Sequence, residues 1–167
     1  MRTGFASLFI VLVSMLMTGC WEQKDVIQIK SDGTTTFESQ ITIVDDKVDL
    51  KTAEDFSDNV LKDLEKVGWK AEKKLVSESK PIKYTFSGKG NIRQVKTLKE
   101  LYTIEDADDK SLTISFRTPT SNKKRPEKRS IKFDKPLFGG ATVLNAEGKK
   151  VDAIPEVENG KPYKIVF

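Results

Sequence analysis

The chain contains no histidine and a single cysteine, Cys20, in 167 residues. Without histidine there is no Ser-His-Asp triad, no Cys-His dyad and no imidazole metal ligand. A lone cysteine excludes an internal disulfide, so covalent cross-links do not stabilise the fold. Long apolar runs are scarce as well. The one apolar stretch, Phe5–Met17, is shorter than the roughly 20 residues of a membrane-spanning helix. Neither sign of charge dominates: 29 basic and 25 acidic side chains leave a net charge of +4. A mixed surface of that kind does not point to nucleic acid. No low-complexity segment, internal repeat or cofactor motif is present, and no cofactor is expected. The whole chain is 37% hydrophobic and 32% charged, which suits one strongly solvated domain or two small ones.

Met1–Cys20 is the most informative stretch. Arg2 supplies a charged start, Phe5–Met17 an apolar middle, and Thr18-Gly19-Cys20 a small-residue end. That is the layout of a bacterial secretory signal. Leu16-Met17-Thr18-Gly19-Cys20 resembles a lipobox, with Met17 where leucine is usual. The resemblance implies cleavage before Cys20 and diacylglycerol on its thiol, leaving 148 of the 167 residues. Two or three acyl chains give the stable anchorage that one chain cannot. Trp21 follows the cysteine, and by the same resemblance a Gram-negative host would place the protein in the outer membrane, facing the periplasm. The reading divides the chain into a signal peptide (1–19), the lipidated cysteine with a short leader (20–24), an α+β domain (25–129) and a β-rich extension of that domain (130–167). Trp21 in the leader has two readings, at the lipid interface or packed on the domain's own surface.

Along the mature chain, Asp25–Lys30 and Thr35–Val44 read as strands joined at Asp32-Gly33, a hairpin turn where glycine supplies positive φ. Phe37, Ser39, Ile41 and Ile43 share one face by period two. Thr52–Val67 reads as a helix capped by Thr52, with Phe56, Val60, Leu61, Leu64 and Val67 as its apolar stripe and Gly68 at its end. Trp69–Ser77 and Ile82–Ser87 read as strands, and Ile92–Tyr102 as a second, shorter helix. Later strands are expected at Ser111–Arg117, Ser130–Phe133, Thr142–Leu144, Val151–Ile154 and Tyr163–Phe167. Ending on Ile165-Val166-Phe167 places the C-terminus in a sheet, since an exposed apolar strand invites aggregation. The expected fold is α+β: a mainly antiparallel sheet with two helices packed on one face and a β-rich C-terminal part.

Few side chains stand out as chemical candidates. Ser87-Gly88-Lys89-Gly90-Asn91 reads as a strand-to-helix turn, without the spacing of a phosphate loop. Asp106–Lys110 reads as a hairpin tip, lacking the spacing of a calcium loop. Thr118–Arg129 is a basic, proline-containing loop. Its Lys123, Lys124, Arg125, Lys128 and Arg129 are candidates for contact with an anionic lipid or glycan surface. Glu54, Asp55, Glu100, Glu105 and Asp106 are the carboxylates a paired-acid hydrolase would draw on. Tyr84, Phe86 and Phe116 would line an apolar groove if they are not plain core.

From Cys20 to Phe116, the lipidated cysteine, the strand–Asp-Gly–strand hairpin of Ile27–Ile43 and the helix feeding a β body resemble LppM-like envelope lipoproteins. The resemblance implies a membrane-tethered, non-enzymatic domain that handles lipids or glycolipids, and it carries over no functional residue. The expected function is therefore a lipid-anchored envelope module, neither catalytic nor metal-dependent. It would bind a partner protein, a lipid or a cell-wall component. The alternative is a small carboxylate-dependent hydrolase. A concave pocket with a buried carboxylate would favour the enzyme, and an apolar groove would favour lipid binding.

Overall fold

The computed structural model describes residues 21–118 and 127–167. The first strand, β1 (Trp21–Ile29), turns through Asp32-Gly33 into β2 (Thr34–Ile43). Gly33 has φ +84°, and the Asp32 carboxylate accepts the Thr34 N–H at 2.8 Å. Pairing begins at Trp21↔Ile43, so the stretch read as a polar leader is already strand.

The helix, α1, spans Leu50–Lys66 and is capped by Asp49, whose carboxylate accepts the Thr52 N–H at 2.7 Å. The sequence reading placed the cap at Thr52. Asp49 starts the helix three residues earlier and takes the N–H of Thr52 itself, and its negative charge suits the helix N-terminus. Gly68, at φ +103°, ends the helix as expected.

Strands β3 (Lys70–Ser77) and β4 (Ile82–Asn91) form the next hairpin. Then follow β5 (Tyr102–Ala107), β6 (Ser111–Phe116), β7 (Lys128–Asp134), β8 (Thr142–Leu144), β9 (Ala153–Ile154) and β10 (Pro162–Val166). They make two sheets, one ordered β3-β4-β2-β1-β7-β9 and one ordered β5-β6-β10-β8. Strands β7 to β10 are shared between the two sheets. The C-terminal β10 lies between β6 and β8, and Ile165 is fully buried.

The fold is mainly β, which corrects the expected α+β class with two helices on a sheet. Among the described residues α1 is the only helix. The segment read as a second helix, 92–102, makes two separate turns: the Asn91 carbonyl accepts the N–H groups of Gln94 and Val95, and the Leu98 carbonyl those of Leu101 and Tyr102. Lys96 N–H then bonds to Val67 O, and the Thr97 hydroxyl takes the Ile104 N–H. These tertiary bonds compete with a helix too short to be stable alone, whose Val95 and Thr97 are β-branched. Val95 is still buried, so the apolar spacing marked the correct residues and the wrong backbone.

The anion-loop candidate is also strand. Ser87–Asn91 completes β4, with Gly88 opposite Phe37 and Gly90 opposite Thr35. A Cβ on Gly88 would sit 2.3 Å from the Phe37 ring, and one on Gly90 would sit 2.9 Å from Trp69. The glycines make room for two aromatic rings packed edge to face at 5.2 Å.

Helix α1 lies against β3 and β4, and the second sheet packs beside it through Phe116, 6.1 Å from Phe133 on β7. Three exposed carboxylates in turns and caps make the fold somewhat sensitive to acid. Asp32 is held below its ordinary 3.8 by the Thr34 N–H, Asp49 by the Thr52 side chain and N–H, and Asp108 by the N–H groups of Lys110 and Ser111. A lowered folded pKa means stability present above the unfolded value and lost as pH falls through the folded one. Urea midpoints measured between pH 6 and pH 2.5 should fall below about pH 4. Replacing the three aspartates by asparagine should flatten that fall.

Candidate functional site

Between the inner face of the first sheet, α1 and the edge of the second sheet lies a cavity of about 920 Å³. Its origin is visible strand by strand. The odd-numbered residues of β1, Trp21 through Ile29, face inward beside Thr35, Phe37, Ser39, Ile41 and Ile43 of β2. Helix α1 contributes Phe56, Val60 and Leu64, and the second sheet contributes Tyr102, Ile114 and Phe116. Because α1 rests toward β3 and β4, its apolar stripe closes over β1 and β2 without filling the space beneath. Phe56, Val60 and Leu61 stay half-buried. Trp21 packs edge to face on Phe56 at 5.9 Å, so its ring belongs to the cavity wall. Exposed Asn59, Lys62 and Lys66 on α1 and Glu100 on the facing turn form the rim.

The wall is apolar except for one cluster. Gln23, Asp25, Ser39 and Arg129 are all buried and all line the cavity. Asp25 Oδ2 accepts from Arg129 Nε at 2.7 Å and lies 2.6 Å from Nη2, while Oδ1 accepts from Gln23 Nε2 at 2.8 Å. The second Gln23 N–H goes to Ser39 Oγ at 3.1 Å. Arg129 Nη1 donates to the carbonyls of Leu101 and Arg117. The guanidinium on β7 thus joins the first sheet to both ends of the β5–β6 hairpin and lies over the Phe116 ring. Burial of an ion pair is tolerable only where both charges are this fully hydrogen-bonded. Nearby, burial pushes the Tyr102 hydroxyl up to about 12. It accepts from Trp69 Nε1 and donates to the Lys96 carbonyl, both at 2.8 Å.

The candidates from sequence fall elsewhere. Cys20, Lys123, Lys124 and Arg125 lie outside the described residues. Lys128 is exposed on β7, whereas Arg129 is 5% exposed and paired with Asp25, which removes it from any surface contact. Period two explains the difference: Arg129, Ile131 and Phe133 share the inward face of β7. Of the proposed acids, Glu54, Asp55, Glu100, Glu105 and Asp106 are all exposed, and only Glu100 reaches the cavity, at its rim. Phe86 and Phe116 line the cavity as the groove reading placed them, whereas Tyr84 is buried and is not part of its lining.

Sequence reasoning missed Gln23 and Asp25, although extending the Ile27, Ile29 alternation backward places both on the inner face. Leu137 and Phe138, 94% and 86% exposed, sit on the loop after β7. That loop is pinned to the Ile29 end of β1 by bonds from Ser31 N–H to Gly139 O and from Ala141 N–H to Ile29 O. No protein-family model, curated protein or solved structure matches this chain.

Proposed function

We propose that the protein is a cell-envelope lipoprotein, anchored through lipid on Cys20, whose body is a non-catalytic module that binds a lipid-like ligand in the cavity. The observation that carries the reading is the volume and lining of that cavity. The space opens to solvent at its rim, and its walls of Ile, Phe, Leu and Trp present mainly apolar surface, which an apolar occupant covers more favourably than water does. The volume lies near the top of the roughly 300–1,000 Å³ range of small-molecule pockets.

The hydrolase reading finds less support. Asp25 is a buried carboxylate in a concave site, but both its oxygens are engaged by Arg129 and Gln23. A carboxylate locked in that way is poorly placed to shuttle a proton to a substrate.

One preparation tests both parts. Protein purified from the membrane fraction of its host should carry diacylglycerol mass on a product beginning at Cys20, and Cys20→Ser should leave that fraction. Solvent extraction of the purified protein should release an apolar molecule in near-stoichiometric amount. A soluble, unlipidated native chain would refute the anchor, and an extract without any such molecule would refute the binding role.

A further inference from the structure

The polar cluster at the cavity wall restricts the ligand more sharply than the apolar lining does. Arg129 spends Nε and Nη2 on Asp25 and Nη1 on two carbonyls, so the one buried cation among the described lining residues is already neutralised. Glu127 adds a further carboxylate to the lining. An anionic ligand head brought here would lose its hydration and gain no free positive charge.

Gln23 offers something different. Both its N–H groups are committed, to Asp25 and Ser39, and this fixes the amide orientation. Its Oε1 is buried and has no hydrogen-bond partner among the described residues, and the residue lines the cavity. Ser39 Oγ accepts from Gln23, which leaves its own proton available to an acceptor. An acceptor and a donor on the neighbouring strands β1 and β2, flanked along both strands by apolar lining residues, match a hydroxyl group, which both donates and accepts.

We propose that the cavity selects an uncharged amphiphile, an acyl or isoprenoid chain with a hydroxyl head, and that Gln23 Oε1 and Ser39 Oγ bind that head inside the protein. The proposal rests on the lipid-binding reading above and names the ligand class for the same site. The Asp25–Arg129 pair acts as a positioning element: it holds the Gln23 amide and makes the site unfavourable to carboxylate and phosphate heads.

The test uses the full-length protein purified from membranes, freed of bound lipid and offered an equimolar mixture of monopalmitoylglycerol and palmitate at pH 8. Non-covalent adducts are counted by native mass spectrometry. The monoglyceride adduct should exceed the palmitate adduct by about tenfold or more, the size of one well-made buried hydrogen bond. Ser39→Ala, a small change that keeps the strand, should reduce that preference several-fold. Gln23→Leu should bring it close to parity while palmitate binding persists.

Equal binding of both lipids by the native protein would overturn head-group selection and leave the lipid-binding reading intact. So would a palmitate preference that Lys62→Gln abolishes, because the head would then sit at the rim. Failure to bind either lipid, or a C16 alcohol tried in their place, would overturn the binding reading itself.

Discussion

Replacing Asp25 by alanine should destabilise the protein by about 3–5 kcal/mol, the usual consequence of leaving a buried partner charge uncompensated. The magnitude follows from the position of the pair. Both side chains are about 95% buried, and Arg129 is held at the junction of the two sheets by the Leu101 and Arg117 carbonyls. Removing the carboxylate also orphans one Gln23 N–H. Urea unfolding followed by tryptophan fluorescence measures the loss. For a chain of this size it corresponds to a melting temperature lower by roughly 10 °C or more. Arg129→Met should cost a similar amount, because it strands the buried Asp25 carboxylate and removes the guanidinium donor from the Leu101 and Arg117 carbonyls, of which Leu101 keeps the Arg117 N–H. The double variant Asp25→Leu, Arg129→Met should lose clearly less than the sum of the singles, since the same interaction is removed only once. An Asp25→Ala protein within 1 kcal/mol of the native one, the size of an exposed pair, would show that water reaches the pair.

The second large effect is on binding. Val60 is half-buried on α1, lines the cavity and lies one turn from Phe56 and one from Leu64. Val60→Trp should place an indole in the cavity that the proposed ligand would occupy. Affinity for any lipid the protein carries should fall at least tenfold, about 1.4 kcal/mol. The melting temperature of the lipid-free form should hold or rise, because the new ring buries apolar surface against existing walls. Titration with a lipid bearing a fluorescent chain, beside a thermal melt of the lipid-free protein, separates the two readouts. Unchanged affinity would place the ligand outside the cavity. A large loss of stability would mean that the space is already occupied by protein atoms.

Individual residues show how much could be read without coordinates. Alternation over Phe37, Ser39, Ile41 and Ile43 identified the inward face of β2, and the Asp32-Gly33 hairpin, the α1 stripe and the buried C-terminal strand were read the same way. The site was less legible. Gln23 reads as part of the polar leader and Asp25 as the first residue of the strand, and nothing local to either shows that they face a cavity. Arg129 was read with its basic neighbours in the chain, and its partner is 104 positions away. Glycines 88 and 90 read as a strand-to-helix turn because the rings they accommodate, Phe37 on β2 and Trp69 just before β3, lie elsewhere in the chain.

The sequence by itself determined the local elements: which residues alternate, where Gly33 and Gly68 turn the chain, and which apolar faces must be covered. It also excluded histidine- and disulfide-dependent chemistry by composition alone. Only the tertiary structure decided that the 92–102 segment makes two turns, that two sheets form, and that Gln23, Asp25, Ser39 and Arg129 meet around an apolar cavity. The physical reason is one of range. Periodicity and turn chemistry act over a few residues, and the chain carries them in plain order. A buried ion pair, a ring fitted over a glycine and the space left between a helix and a sheet depend on elements far apart in sequence. Their energies exist only once those elements have packed.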